Sequence, residues 1–251
     1  MGILKDKVVI ITGATSGIGA ATAIEAAKQG AKVVLAGRRE EQGVALVATI
    51  RNAGGTAMFV RTDVTDEKDV EQLVARTVKE HGGLDGAFNN AGALDVLGTF
   101  DGMTTEDFQK SLDLNLRSIF LAMKYQIPEM KRRQGGYIVN CGSVGSKIAV
   151  PGFGVYITAK HAIIGMTKAA AVDYAADGIR VNAVLPGPVA TEIWDPLTHG
   201  KMMLQGFSAA TPFKRHAHPS EIAKPVVFLL SEGASYITGT ELLVDGGFTC
   251  V

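Results

Sequence analysis

A tyrosine and a lysine four residues apart, Tyr156 and Lys160, have the types and spacing best suited to chemistry in this chain. They lie in a stretch predicted to be helical, where positions i and i+4 share one face because a helix turns once in about 3.6 residues. A nearby cation favours the phenolate form of tyrosine and lowers its pKa from about 10 towards neutral pH. The pair is therefore a candidate general acid and base, although tyrosine and lysine also meet at this spacing as plain surface neighbours.

A glycine-rich segment at residues 12–19 follows the first predicted strand and opens the first predicted helix. Glycines let the backbone turn sharply and approach a diphosphate, whose charge is stabilised by the N–H groups and dipole of a helix N-terminus. The spacing is G-x-x-x-G-x-G rather than the G-x-G-x-x-G of other dinucleotide folds. Its place between strand and helix nevertheless predicts a dinucleotide site, and the alternative is a glycine-rich turn without a ligand.

The choice between the two nicotinamide dinucleotides depends on the residue that ends the second strand. A carboxylate there would bind the ribose 2′-hydroxyl and repel a 2′-phosphate. That position is Gly37, followed by Arg38 and Arg39, and a guanidinium can hold a phosphate with two hydrogen bonds. NADP(H) is therefore the predicted cofactor. NAD(H) is the alternative, because Glu40 and Glu41 lie close by and Arg39 can equally be a solvated side chain.

Short β-branched runs alternate with helical stretches along the chain. The predicted strands cover residues 7–12, 32–36, 57–60, 84–88, 137–142, 180–184 and 241–244, and the predicted helices cover 17–29, 40–53, 67–80, 105–124, 155–176 and 220–230. The run at residues 8–11 is apolar on both faces, which indicates a parallel sheet covered by helices on both sides. The prediction is one α/β domain over residues 1–251 with a doubly wound parallel sheet, and an irregular substrate loop at about residues 191–218.

Composition restricts the partners. The 251 residues are 47% hydrophobic, and 25 basic residues balance 25 acidic ones, so neither nucleic acid nor a membrane surface is expected as the main partner. No apolar run approaches the roughly 20 residues that span a bilayer, and the first residues resemble neither an export signal nor a lipid anchor. Cys141 and Cys250 predict free thiols in a reducing compartment, hence a cytoplasmic location. No metal site is expected, since the histidines of the substrate loop lack ligand spacing.

Several further segments extend these observations. They are Asn89-Asn90-Ala91-Gly92 after the fourth strand, Asn115 in a helix, Ser143 after the fifth strand, and Pro186-Gly187 with Thr191 after the sixth. Together with the glycine segment and the Tyr156–Lys160 pair, in this order, they resemble the short-chain dehydrogenase/reductase family over essentially the whole chain. The resemblance implies a seven-stranded parallel sheet in the order 3-2-1-4-5-6-7. It also implies hydride transfer between NADP(H) and a carbonyl compound or secondary alcohol.

The resemblance also implies roles for four side chains. Tyr156 would be the acid and base, Ser143 would orient the reacting oxygen, and Lys160 would hold the nicotinamide ribose and lower the tyrosine pKa. Asn115 would keep a water that passes protons to Lys160. From its position alone, Ser143 follows a strand at the carboxyl edge of the sheet and can donate to a developing alkoxide. Asn115, taken alone, would be a structural residue.

The expected cofactor contacts come from every turn at this edge of the sheet. They are Gly13, Thr15, Ser16, Gly17, Ile18, Gly19, Arg38, Arg39, Asp63, Val64, Asn89, Ala91, Gly92, Tyr156, Lys160, Pro186, Gly187, Val189 and Thr191. The substrate is expected against Ser143, Tyr156, Leu94 and Trp194, with Asp95 as a further pocket edge. Core packing is the alternative role for Trp194.

The sequence says less about the assembly and the substrate than about the cofactor. Two helices carry apolar residues that are predicted to face outwards, namely Phe108, Leu112 and Phe120 on one and Ile163, Met166 and Ala170 on the other. By resemblance they predict a homotetramer. Ketones, sugar or steroid alcohols and 3-oxoacyl thioesters are all compatible substrates. A non-catalytic dinucleotide-binding regulator, and an epimerase or dehydratase with a resident cofactor, are alternatives on the same fold.

Overall fold

The computed structural model describes residues 2–195, 197 and 199–251, and it contains one sheet of seven parallel strands. The strands are β1 (Val8–Thr12), β2 (Lys32–Gly37), β3 (Thr56–Arg61), β4 (Gly86–Asn89), β5 (Gly136–Cys141), β6 (Ile179–Pro186) and β7 (Glu241–Val244). Their order, β3-β2-β1-β4-β5-β6-β7, confirms the prediction. The order reverses between β1 and β4, and doubly wound sheets bind ligands outside the carboxyl ends of the strands at such a point.

The described residues form eight α-helices, most of which cover the two faces of the sheet. They are α1 (Gly17–Lys28), α2 (Glu40–Asn52), α3 (Glu67–His81), α4 (Thr105–Leu112), α5 (Ser118–Arg132), α6 (Gly154–Asp173), α7 (Gly200–Ala210) and α8 (Pro219–Leu229). Local signals fix several of their ends. Asp66, for example, caps α3 by accepting from the N–H groups of Lys68 at 2.8 Å and Asp69 at 3.3 Å.

The core lies in two layers, one on each face of the sheet. Successive side chains of a strand point to opposite faces, so Val9 and Ile11 of β1 belong to one layer while Val8 and Ile10 belong to the other. The first layer includes Ala23 and Ala26 of α1 and Ile222 and Val226 of α8. The second includes Leu73 of α3, Ile119 of α5 and Ile163 of α6. Burial on both faces explains why β1 is apolar throughout.

The helix predicted at residues 105–124 differs from the structure in two ways. A π-helical segment, Asp113–Arg117, separates α4 from α5, and α5 continues past Pro128 to Arg132. The continuation follows from the buried side chains Met123, Ile127 and Met130, which keep helical spacing beyond the predicted end.

The substrate loop predicted at residues 191–218 is not irregular throughout. It contains a short 3₁₀ turn, Glu192–Trp194, and the helix α7. Met203, Leu204 and Phe207 lie on one face of α7 and pack with Trp194 and Phe153, which stabilises the helix by covering its apolar side. Pro196 and Thr198 of the predicted loop lie outside the described residues.

The predicted outward-facing residues of α6 were partly wrong. Ile163 is completely buried and Ala170 is 6% exposed, because α6 turns both towards the sheet. Phe120 of α5 is half exposed. Cys141 is buried and Cys250 exposed, and both are free thiols. Within the described ranges, no helix combines the length and apolar character needed to cross a bilayer.

Candidate active site

A cavity of about 490 Å³ opens at the carboxyl edge of the sheet and extends from the glycine-rich segment to the inner face of α7. This volume is typical of small-molecule sites. Every residue predicted as a catalytic, cofactor or substrate contact lines the cavity except Gly19 and Asn89. Asp95 lies elsewhere, in a second cavity beside α4. One continuous space therefore joins the predicted cofactor and substrate residues.

The glycine segment forms a tight cradle at the N-terminus of α1. Gly13 and Gly17 have φ values of 62° and 51°, which favour glycine. A Cβ atom on Gly13 would lie 2.9 Å from the Asn90 Nδ2 atom, and one on Gly19 would lie 2.3 Å from the Gly13 carbonyl oxygen. Gly19 therefore permits close packing of helix on turn instead of lining the cavity. The first turn of α1 carries no acidic side chain, so its N–H groups suit a diphosphate.

Two neighbouring asparagines after β4 have different surroundings. Asn89 was predicted to contact the cofactor, but its side chain points into the protein. There its Nδ2 donates to Gln126 at 3.2 Å and Asn140 at 3.0 Å, and its Oδ1 accepts from Gln126 at 2.9 Å. Asn90 lies on the cavity side, and its Nδ2 donates to the carbonyls of Thr12 at 3.0 Å and Gly13 at 3.3 Å. The strand alternation separates the two residues, and Asn90 is the one that supports the cradle.

The two arginines after β2 also differ. The Arg39 guanidinium lies over the glycine segment, donating to Thr15 Oγ1 from Nε at 3.1 Å and from Nη2 at 2.9 Å, and also to the Ser16 hydroxyl. Arg38 lies close enough to Asp63 to act on its charge. Burial alone would raise the pKa of Asp63, but hydrogen bonds from Thr65 and the positive charge of Arg38 hold it below its usual value. This end of the site thus carries the two exposed cations, the ionised carboxylate of Asp63 and, beside Gly17, the exposed carboxylate of Glu192.

The lysine and tyrosine of α6 meet at the opposite end of the cavity. Lys160 is 3% exposed, its Nζ donates to the Cys141 carbonyl at 2.9 Å, and the same atom lies 5.4 Å from the centroid of the Tyr156 ring. Ser143, which follows β5, accepts a hydrogen bond from the Gly145 N–H at 3.0 Å. The end of β5 and one face of α6 therefore place a phenol, an ammonium and a hydroxyl together.

Burial dominates the electrostatics of these groups. It raises the pKa of the Tyr156 phenol, and hydrogen bonding with Ser143 offsets only part of that rise. Burial also lowers the pKa of the Lys160 ammonium. The direction for Tyr156 is opposite to the predicted lowering of the tyrosine pKa, because loss of water disfavours the phenolate more than the Ser143 hydrogen bond favours it.

Asn115 lies in the π-helical segment and is completely buried. Its Nδ2 donates to the carbonyls of Ala93 and Ser111, both at 3.1 Å, and its Oδ1 accepts from the Ala93 N–H at 3.1 Å. A Cβ atom on Gly92 would approach the Asn115 Oδ1 to 2.9 Å and the Lys160 Nζ to 3.6 Å. The amide therefore fixes the turn after β4 beside the lysine.

The comparisons with known proteins agree with this geometry. A family model described as "Enoyl-(Acyl carrier protein) reductase" matches residues 13–249. The chain is 42% identical over 253 residues to a 2,5-dichloro-2,5-cyclohexadiene-1,4-diol dehydrogenase of Sphingobium indicum, covering 100% of both proteins. It is 36% identical over 245 residues to a cyclohexanol dehydrogenase of an Acinetobacter species, covering 98% of this chain and 96% of the relative. A crystal structure of a short-chain type dehydrogenase/reductase from Mycobacterium marinum matches with a TM-score of 0.93 and 34% identity, over 99% of this chain and 97% of the other.

The chain belongs to the short-chain dehydrogenase/reductase family. It is accordingly an oxidoreductase of alcohol and carbonyl groups that uses a nicotinamide dinucleotide. The glycine cradle and the acid-free first turn of α1 fit the diphosphate of such a cofactor.

This short-chain dehydrogenase/reductase also has an aromatic wall that sequence reasoning largely missed. Trp194 was predicted, and it is 9% exposed, with its Nε1 donating to the Val189 carbonyl at 3.0 Å. Phe153, Phe207 and Phe248 line the same cavity. Phe153 could have been found, because it directly precedes the helix of Tyr156 and lies three residues before it. Phe207 and Phe248 carry no comparable signal, since each reaches the cavity only through the tertiary fold.

Proposed function

We propose that this protein is an NADP(H)-preferring oxidoreductase that interconverts a secondary alcohol and its ketone, with Tyr156 as general acid and base. The proposal rests mainly on one observation: the Tyr156, Lys160 and Ser143 side chains open into the same cavity as the glycine cradle. A substrate oxygen at one end and a dinucleotide at the other would therefore share one enclosed space.

Each of the three side chains has a distinct task in this proposal. When bound, the nicotinamide supplies the hydride for reduction or accepts it in oxidation. The Tyr156 phenol donates its proton to the substrate oxygen as negative charge develops there, and the Ser143 hydroxyl donates a hydrogen bond to the same oxygen. Lys160 would hold the cofactor ribose. Asn115 would keep a water that passes protons to Lys160. Burial raises the pKa of Tyr156, and in the reverse reaction the same phenolic oxygen takes the proton back from the alcohol.

The surroundings of Gly37 support the preference for NADP(H). A Cβ atom at this position would lie 3.0 Å from the Thr15 Cγ2 atom, and glycine supplies no carboxylate to bind the ribose 2′-hydroxyl or to repel a 2′-phosphate. Arg39 offers a guanidinium beside the cradle, and Arg38 adds a second positive charge. Asp63 is ionised and can accept from the adenine amino group.

The substrate in this proposal is an uncharged cyclic alcohol or ketone. The relatives named above are dehydrogenases of a cyclohexadienediol and of cyclohexanol. The substrate end of this cavity is lined by apolar side chains, among them Leu94, Val150, Ile157 and Ile193, which favour a ring with few polar groups.

The cofactor proposal is tested by titrating NADPH and NADH against the fluorescence of Trp194, the single tryptophan. In Arg39→Ala, NADPH binding should weaken by at least about tenfold, since a charge-assisted hydrogen bond contributes about 1.5–3 kcal/mol, and NADH binding should change little. Arg38→Ala is measured in parallel to separate the two arginines. NADH binding that is tighter than NADPH binding, and indifferent to both substitutions, would reject the NADP preference.

Catalysis is tested by cyclohexanone reduction in the parent and in Tyr156→Phe. Loss of the proton donor should lower kcat by about 10²- to 10⁴-fold without weakening NADPH binding. Equal rates in the two proteins would contradict the role of Tyr156. We also propose a homotetramer in the cytoplasm, and a monomeric mass by light scattering would reject the assembly.

A further inference from the structure

We infer that Phe207 of α7 is the residue that sets substrate specificity, by closing the substrate end of the cavity around a single compact ring. The inference rests on the proposed function and adds to it the residue that limits the size of the substrate. Phe207 lies outside the group of residues that handle the proton, so its effect is on which substrate fits.

Phe207 is the centre of a four-membered aromatic group. Its ring centroid lies 6.2 Å from that of Phe153 at an interplanar angle of 86°, 5.8 Å from that of Trp194 at 40°, and 6.0 Å from that of Phe248 at 67°. Such tilted and edge-to-face pairs are the favoured arrangement of aromatic rings. Phe207 is therefore the member that holds the other three in one wall.

The other three rings are attached to the body of the fold. Trp194 is anchored by its bond to the Val189 carbonyl, and Phe153 adjoins α6, where its carbonyl accepts from the Ile157 N–H at 2.9 Å. Phe248 lies in a turn held by Asp245, whose carboxylate accepts from the Gly247 N–H at 3.0 Å and the Thr249 N–H at 2.9 Å. These bonds fix three sides of the wall.

Phe207 itself is carried by α7, which is bounded by His199 at a positive φ of 67° and by Thr211 in an extended conformation. The Thr211 hydroxyl donates to the Phe207 carbonyl at 2.9 Å. The inner face of α7, with Leu204 and Phe207, packs on the aromatic group, while Met202 is 63% exposed on the outer face. Phe207 thus reaches the wall from a separate helix that lies over the cavity.

The aromatic wall adjoins Tyr156, the proposed proton donor to the substrate oxygen. Phe153 directly precedes α6 and packs in the same apolar cluster as Tyr156. A ring held at Tyr156 and Ser143 by its oxygen would therefore meet the wall with its carbon atoms. Removing Phe207 should open that side, which weakens the hold on a small ring and admits a larger one.

The test compares Phe207→Ala with the matched control Met202→Ala, which truncates the outer face of the same helix. Cyclohexanol, a fused bicyclic alcohol and open-chain 2-butanol are oxidised with NADP⁺. For Phe207→Ala, kcat/KM for cyclohexanol should fall by at least about tenfold, chiefly through KM, because lost apolar contacts discriminate substrates by about 10- to 200-fold. Oxidation of the bicyclic alcohol should improve, 2-butanol should change little, and Met202→Ala should match the parent.

A binding measurement separates this inference from the proposed function. Cyclohexanone and 2-butanone are titrated into the NADP⁺ complexes of parent and variants, with Trp194 fluorescence as the signal. Weaker binding of the cyclic ketone alone in Phe207→Ala supports the inference even if the parent shows no turnover, which would reject only the proposed function. Equal shifts for the ring and open-chain ligands, or none, would overturn it. Phe207→Leu, which keeps apolar volume, provides the same comparison if the alanine variant is poorly folded.

Discussion

Lys160 donates from its Nζ atom to the carbonyl oxygen of Cys141 at 2.9 Å, which ties α6 to the last residue of β5. The bond gives the buried Nζ atom a hydrogen-bond acceptor, which offsets part of the cost of removing it from water. It also fixes the distance between the helix that carries Tyr156 and the strand that leads into Ser143. Lys160 therefore lines the catalytic end of the cavity and also holds α6 and β5 in place around it.

Replacing Lys160 with methionine should keep most of the side-chain volume but remove the buried cation. We expect kcat for cyclohexanone reduction to fall by at least about 100-fold, and NADPH binding to weaken. The near-ultraviolet circular dichroism should match that of the parent, which shows that the fold is intact. Activity within about twofold of the parent would contradict a role for the ammonium.

Replacing Glu192 with glutamine should tighten cofactor binding. The Glu192 Oε2 atom lies 3.5 Å from the place where a Cβ atom of Gly17 would be, so its charge sits at the α1 N-terminus where a diphosphate would bind. Like charges about 4 Å apart in water repel by about 1 kcal/mol, which predicts an approximately fivefold lower Kd for NADPH.

The matched control for that substitution is Asp195→Asn, an exposed carboxylate in the same segment. Fluorescence titrations of both variants at low and high salt provide the measurement. The gain in Glu192→Gln should shrink as salt screens the charge. An equal gain in both variants would assign the effect to net charge and not to the position of Glu192.

Replacing Asn89 with alanine should lower stability without changing cofactor binding. The substitution leaves buried amide groups of Gln126 and Asn140 without their partner, at a cost of about 1–3 kcal/mol in the free energy of unfolding. Urea unfolding and NADPH titration measure the two effects. Asn90→Ala, one residue away on the cavity side, should instead weaken NADPH binding. The reverse pattern would restore Asn89 as a cofactor contact.

Tyr137 should make stability depend on pH in the alkaline range. Burial, with the hydrogen bond to Glu232 adding to it, raises the pKa of Tyr137 from 10.0 to about 12. Arg180 and Lys7 also face its ring. The folded protein keeps a proton that the unfolded chain loses, so this contribution is complete below pH 10.0 and disappears as pH rises through about 12.

The measurement for Tyr137 is urea unfolding of the parent and Tyr137→Phe at a series of pH values. The stability difference between the two proteins should be constant below pH 10.0 and shrink from there towards about pH 12. A difference that stays constant over the whole series would show that Tyr137 titrates normally in the folded protein.

Most of the fold could be predicted because its signals are local. The apolar run of β1, the glycines before α1 and the Asp66 cap of α3 each act within a few residues. The helix α7 escaped prediction because its apolar face is short and is explained only by Trp194 and Phe153, which lie outside the helix. Its stability comes from tertiary packing, which no local pattern records.

The site residues divide in the same way, into those that local sequence patterns predict and those that depend on the tertiary structure. Spacing brought Tyr156 and Lys160 together, and motif order placed Ser143 and Asn115 beside them. Strand alternation predicts that Asn89 and Asn90 face opposite ways, but it does not say which of them reaches the cavity. The direction of the tyrosine pKa shift was also beyond sequence, because it depends on how deeply the phenol is buried relative to its charged neighbours.

Because Asn115 lies in a π-helical segment, the direction of its amide depends on the number of residues in that segment. A π turn holds one residue more than a regular α-helical turn, and each residue added to a helix rotates the remainder of that helix by about 100°. Deleting one residue other than Asn115 between 113 and 117 would let α4 and α5 merge into an uninterrupted helix and turn the Asn115 amide away from Ala93. A shortened chain with every catalytic side chain intact would then lose the same contacts as Asn115→Ala, so insertions and deletions here act as active-site mutations.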